Sequence, residues 1–139
     1  MAGSVFLDTN VLVYAIESAG PDHAKFSTAQ ALAKGTDVCL STQVLGEFYR
    51  AVTSPHRTAP LSHDEAIAWV QIWKHHDVRS ITVPHVDLAL ELAGRFRIGY
   101  FDALILAAAR LAGCDIVYSE DLNDAQAYGG VRVLNPFRS

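Results

Sequence analysis

The sequence has 139 residues, half of them hydrophobic and 19% charged, with a formal net charge of -4. That is one ordinary domain, residues 1–139, with ample apolar material for a core and too little charge for a disordered chain. The acidic balance excludes nucleic-acid binding by excess positive charge alone; phosphates are tolerated only where cations cancel some of the acids.

Val5-Phe6-Leu7 is a short apolar run ending at Asp8, which reads as a buried strand. Residues 10–16 read as a first short helix, and 22–34 as a second, with Pro21 before it and Gly35 as its stop. Val38-Cys39-Leu40 is a second buried strand. Ser41 or Thr42 caps the helix that follows to Thr53, with Pro55 ending it. Ser62-His63-Asp64-Glu65 is a capping-box pattern that opens a helix with Ile67, Val70 and Trp73 or Ile72 on its apolar side. Ser80-Ile81-Thr82-Val83 reads as a third strand, stopped by Pro84. Residues 85–96 then form a helix with Val86, Leu90 and Ala93 on one stripe, and 102–112 a helix closed by Gly113. The latter is apolar nearly all round from Ala103 to Leu111, so it belongs deep in the core. Ile116-Val117-Tyr118 and Val131-Arg132-Val133-Leu134 are the fourth and fifth strands. Short apolar strands alternating with helices predict an α/β sandwich, a central parallel sheet of about five strands flanked by helices.

Cys39 and Cys114 lie in apolar surroundings and read as buried small hydrophobes in a reducing compartment, not as a zinc site. The first basic residue is Lys25, so no charged region precedes an apolar stretch as in a signal peptide. The longest apolar runs, 11–16 and 103–109, fall short of the ~20 residues that span a bilayer. The expectation is a soluble cytoplasmic protein without a membrane partner. The six histidines are scattered and read as surface residues.

Four acids stand where an open parallel sheet gathers ligands, at the carboxyl ends of its strands. Asp8 ends the first strand, Asp121 follows the fourth, Asp102 opens the apolar helix, and Glu47 lies in the helix after the second strand. Singly, each has an ordinary explanation. Asp8 suits a turn, Asp102 a helix cap, Asp121 a solvated loop, and Glu47 a surface pair with Arg50. Jointly they point elsewhere. Converging carboxylates repel one another and raise each other's pKa, and an oxygen-only set is neutralised by a hard cation, Mg²⁺ or Mn²⁺.

The sequence at these acids resembles PIN domains. Residues 5–12, Val-Phe-Leu-Asp-Thr-Asn-Val-Leu, resemble the family's opening strand, and residues 41–48, around Glu47, its second motif. Residues 100–109, Tyr-Phe-Asp-Ala-Leu-Ile-Leu-Ala-Ala-Ala, resemble the third, and 118–123, Tyr-Ser-Glu-Asp-Leu-Asn, the fourth. The closing Val133-Leu134-Asn135-Pro136-Phe137 is similar to the end of VapC toxins. The resemblance covers the whole chain in order. It implies a metal-dependent endoribonuclease, the toxic component of a type II toxin–antitoxin system, with Asp8, Glu47, Asp102 and Asp121 as catalytic and metal-binding residues. It further implies Asn10 and Ser119 as supports of the carboxylates, an RNA substrate, a VapB-type antitoxin and a homodimer. Arg50, Arg95 and Arg97 are candidate contacts to RNA phosphates. One departure is Ala125, where many relatives carry Gly after a similar Leu-Asn-Asp run. Asp124 is open between a fifth ligand and a loop acid. The rivals are a PIN-like RNA-processing nuclease outside a toxin–antitoxin pair, and an inactive RNA- or protein-binding PIN domain. A haloacid-dehalogenase-like phosphatase needs a second Asp where this chain has Asn10, and a receiver domain needs a late Lys where the last is Lys74.

Overall fold

The computed structural model describes residues 4–138. In chain order the elements are β1 (Val5–Leu7), α1 (Thr9–Tyr14), α2 (His23–Ala33), β2 (Val38–Ser41), α3 (Thr42–Thr53), α4 (His63–Trp73), β3 (Asp77–Arg79), α5 (Val83–Phe96), α6 (Tyr100–Leu111), β4 (Ile116–Tyr118), β5 (Ala127–Tyr128) and β6 (Val131–Leu134). The sheet order is β3-β2-β1-β4-β6-β5. Every pairing is parallel except the β5–β6 hairpin. Among the described residues no helix is long and apolar enough to cross a membrane.

The central strands are apolar because helices cover both faces. Phe6, Leu7, Leu40, Val117 and Val133 have no exposed surface. In α6, Ala103 through Ala109 are all buried, as an all-round apolar helix must be. Its small alanines let it lie close to its neighbours. Ser41 caps α3 by accepting from the Val44 amide, and Ser62 and Glu65 close a capping box on α4. Cys39 and Cys114 are buried side by side. Burial is the main cause that holds the Cys114 thiol up at about 12, where it is unreactive.

Several sequence expectations are corrected. The sheet has six strands rather than five, because Ala127–Tyr128 pairs antiparallel with β6 across the Gly129–Gly130 turn. The third strand is Asp77–Arg79, not 80–83. It pairs only with β2, so it is an edge strand, and charged residues suit that position. Thr82 instead caps α5: its amide donates to His85 Nδ1 (3.1 Å), and Pro84 sits in the first helical turn, where its missing N–H is no loss. His85 is thus buried rather than a surface residue. The apolar stripe of α4 is as expected at Val70 and Trp73, but Ala66 is buried while Ile67 and Ile72 face outward. The stripe of α5 is rotated: His85, Ala89 and Leu92 are buried and Leu90 faces outward.

Ala125 has φ +64°, the left-handed region in which L side chains cost roughly 1–2 kcal/mol. The conformation is held by its amide, which donates to the Val133 carbonyl at 2.7 Å. Glycine fits here without strain. Ala125→Gly is expected to raise the unfolding free energy by about 1 kcal/mol in a urea titration, and an unchanged or lower value would contradict this account. The rotated α5 face gives a second test. Leu92→Ala should destabilise by about 2–5 kcal/mol and Leu90→Gln by under ~0.5 kcal/mol; the reverse order would restore the stripe read from the sequence.

Candidate active site

Parallel pairing of β1 between β2 and β4 brings three chain segments to one edge of the sheet. The Asp8 amide continues the β1–β4 ladder by donating to the Tyr118 carbonyl (3.0 Å), so Asp8 leaves the sheet beside Ser119. Asp8 then caps α1. Its Oδ1 accepts from the Thr9 amide (2.7 Å) and its Oδ2 from Ser119 Oγ (2.7 Å). Ser119 has no exposed surface, and Asp8 only 5%.

Asn10 completes the tie. Its Nδ2 donates to Asp121 Oδ2 (3.1 Å) and lies 3.3 Å from Ser119 Oγ and 3.5 Å from Asp8 Oδ2. The Asp121 amide donates to Ser119 Oγ (3.1 Å), which turns the loop after β4 back toward β1. Glu47 comes from α3. Its Oε1 accepts from Thr9 Oγ1 (2.8 Å) and its Oε2 from Gln43 Nε2 (3.1 Å), one turn earlier on the same helix. The expected alternative, a Glu47–Arg50 pair, does not form. Asp102 sits in the first turn of α6, half buried. Asp8, Glu47, Asp102 and Asp121 all line one cleft of about 400 Å³, together with Thr9, Gln43, Arg50, Phe101 and Ile105.

The electrostatics are those of uncompensated anions. No described salt bridge involves any of the four acids. Burial pushes the Asp8 carboxyl up to about 7; the Ser119 and Thr9 hydrogen bonds oppose this, while repulsion from Asp121 and Glu47 adds to it. Asp102 is raised for the same reasons, burial first and then Asp121 and Glu47.

Among the described residues, no three Asp, Glu, His or Cys side chains close up tightly enough to cage an ion by themselves. The wider spacing still fits a hard divalent ion that keeps much of its water and touches only one or two carboxylates directly. Two buried acceptors without a partner, Asn10 Oδ1 and Gln43 Oε1, belong to side chains bonded to these acids and can take hydrogen bonds from such water.

Other candidates lie elsewhere. Asp124 is a loop acid, its Oδ1 accepting from the Asn135 amide (2.7 Å) and its Oδ2 3.7 Å from Arg138. Arg50 lines the cleft, but Arg95 and Arg97 do not. Arg97 closes α5 in a left-handed conformation, and Arg95 lies over the Phe96 ring and beside Gly129. Sequence reading missed Thr9 and Gln43 as holders of Glu47, although Gln43 stands at the helical spacing of four residues. It also missed a latch behind the Asp121 loop. Glu120 accepts from Tyr14 Oη and from Lys25 Nζ (2.8 Å), and the ammonium lies over the rings of Tyr14 and Phe137.

The raised Asp8 carboxyl makes a prediction about stability. Its folded value, about 7, exceeds the ordinary 3.8, so between these the folded protein holds a proton that the unfolded chain releases. The stability contribution is complete below 3.8 and is lost as pH rises toward about 7. In EDTA, melting temperature should therefore fall across that window. Asp8→Asn should flatten the decline and melt higher near neutral pH; identical slopes for variant and wild type would show that Asp8 is not held this way.

Comparison with known proteins agrees with this geometry. A family model of the PIN domain matches residues 5–129. A comparison with curated protein sequences finds no match. Among solved structures, the chain is similar to Mycobacterium tuberculosis VapC20, a toxin that cleaves the sarcin–ricin loop: 25% identity, TM-score 0.66, covering 85% of this chain and 90% of that one. It is also similar in fold to a toxin–antitoxin complex from Klebsiella pneumoniae (20% identity, TM-score 0.70, 98% and 100% covered). VapBC2 from Rickettsia felis, bound to a DNA fragment from its promoter, shares the fold at 18% identity and TM-score 0.65, with 93% and 96% covered. With its acids gathered on one cleft and the family model spanning nearly all of its length, the chain belongs to the PIN domain family.

Proposed function

We propose that this protein is the toxin of a type II toxin–antitoxin pair and acts as a metal-dependent endoribonuclease. The observation that carries the reading is the convergence of Asp8, Glu47, Asp102 and Asp121 on one cleft with no cationic partner. The likeness to VapC20 and to toxin–antitoxin complexes supports the biological role.

Asp8 and Asp102 would hold Mg²⁺ or Mn²⁺, with Asp121 completing the site through water. When bound, the ion would supply an activated water and offset charge on the phosphate. The chain's own work is orientation. Ser119 and Thr9 fix the Asp8 carboxylate, and Asn10 spaces Asp8 from Asp121. Glu47, held at both oxygens by Thr9 and Gln43, accepts the proton of the attacking water. Arg50 faces the cleft as the positive contact for a neighbouring phosphate. A cognate VapB-type antitoxin would silence the enzyme by placing Arg or Lys among the same acids. A homodimer and a cytoplasmic RNA target complete the proposal.

Purified protein should cut single-stranded RNA with Mg²⁺ or Mn²⁺, poorly with Ca²⁺, whose looser shell positions water less strictly, and not in EDTA. Asp8→Asn and Asp102→Asn should each lose at least about 100-fold in rate while remaining folded by circular dichroism, and Asn10→Ala should lose less. Undiminished cleavage in EDTA, or by either Asp variant, would overturn the mechanism.

A further inference from the structure

Phe101 is 64% exposed, and it is the aromatic residue among the exposed large hydrophobic side chains described. Folding gives it little reason to be there. Its ring touches Tyr100 edge-on, with centroids 5.2 Å apart, and the residue lines the cleft that holds the acids. Its backbone is firmly placed. Gln43 Nε2 donates to the Phe101 carbonyl (3.1 Å) and also to Glu47 Oε2 (3.1 Å), so one amide ties the ring's position to a site acid. Asp102 follows it directly in the first turn of α6. Arg50 lines the same cleft and forms no described salt bridge.

The cleft thus combines a carboxylate cluster, a guanidinium and an exposed aromatic residue. Unpaired RNA matches all three. One phosphate would lie at the acids with their cation, a neighbouring phosphate would meet Arg50, and a base offers a flat π-face to stack on a ring. A duplex cannot use the ring, because its bases are already stacked on each other.

Resting on the ribonuclease reading, we propose that Phe101 is a base-stacking subsite: the unpaired base next to the scissile phosphate lies on its ring. Phe101 then selects flexible, unpaired RNA.

The test uses a single-stranded oligoribonucleotide with one cleavage site and wild type, Phe101→Ala, Phe101→Leu and Phe101→Trp, all with Mg²⁺. Phe101→Ala should lose roughly tenfold in kcat/KM, mainly through KM; Trp should retain activity and Leu should not, because stacking rather than bulk is required. Substrates carrying an abasic ribose at each position near the cut provide the cycle. At one position the abasic change should weaken wild type by the same factor and leave Phe101→Ala unaffected. Equal activity of wild type and Phe101→Ala, equal rescue by Leu and Trp, or additive losses at every abasic position would overturn the subsite. Sedimentation of the same variants covers the rival occupants. A change in self-association with unchanged RNA kinetics would assign the ring to a second copy, and weakened antitoxin binding alone would assign it to the antitoxin. If wild type cuts no RNA, the ribonuclease reading falls first. Fluorescence anisotropy of the labelled oligoribonucleotide in EDTA still reads the subsite, through tighter binding by wild type than by Phe101→Ala, and equal binding would sink it.

Discussion

The molecule is organised around a carboxylate that the fold buries, beside other acids, and does not neutralise. Asp8 is buried against Ser119, and Glu47 and Asp121 are near enough to disfavour its charge. Ordinary folding would relieve this with an arginine or disperse the acids. Here Asp8, Glu47 and Asp121 are instead fixed by neutral donors: Thr9, Asn10, Ser119 and Gln43 supply hydrogen bonds without cancelling charge. Neutral donors orient a carboxylate while leaving its charge for a cation from outside. Side chains that neutralised the cluster would also have closed it.

The rest of the architecture answers that constraint. Parallel pairing of β1, β2 and β4 delivers the start of three following segments to one edge. The buried helix α6 anchors Asp102 from beneath, so its first turn cannot drift from the others. The exposed side of the site is secured differently. Asp121 lies on a loop with little core of its own, and the Glu120–Lys25–Tyr14 latch with Phe137 holds it against α1 and α2. An ion pair that is only partly exposed, backed by two aromatic faces, is better suited to that task than a solvated one.

Much of this was legible in the sequence, and the failures share a cause. The acids at strand ends, the all-apolar α6 and the capping box on α4 are local patterns, and local patterns survive folding. The phase of α5, and Ile67 and Ile72 on α4, were misread because helix packing buries Ala66 and Ala89, while larger residues such as Ile72 and Leu90 stay outside. Hydrophobicity alone favours the larger residue. The segment 80–83 looks like a strand because Ile, Thr and Val are β-branched, yet Thr82 and His85 use their side chains to start a helix. The true third strand is short and charged, as an edge permits. Long-range partners left no trace: Lys25 and Glu120 are 95 positions apart and carry no mutual pattern. Arg95 and Arg97 were candidate phosphate contacts through nearness in sequence to Asp102, and neither lines the cleft.

The bond from Ser119 to Asp8 spans 111 positions, and it has a consequence in time. A chain leaves the ribosome amino end first. Asp8, Glu47 and even Asp102 emerge while the place beside β1 is still empty, because β4 takes it only after residue 116 has arrived. Until then Asp8 lacks its serine donor and the cleft lacks its fourth acid. An unfinished chain therefore carries three of the four acids without the segment that ties the first of them in place. The order of the strands acts as a delay, and the cleft is complete only when synthesis is nearly done.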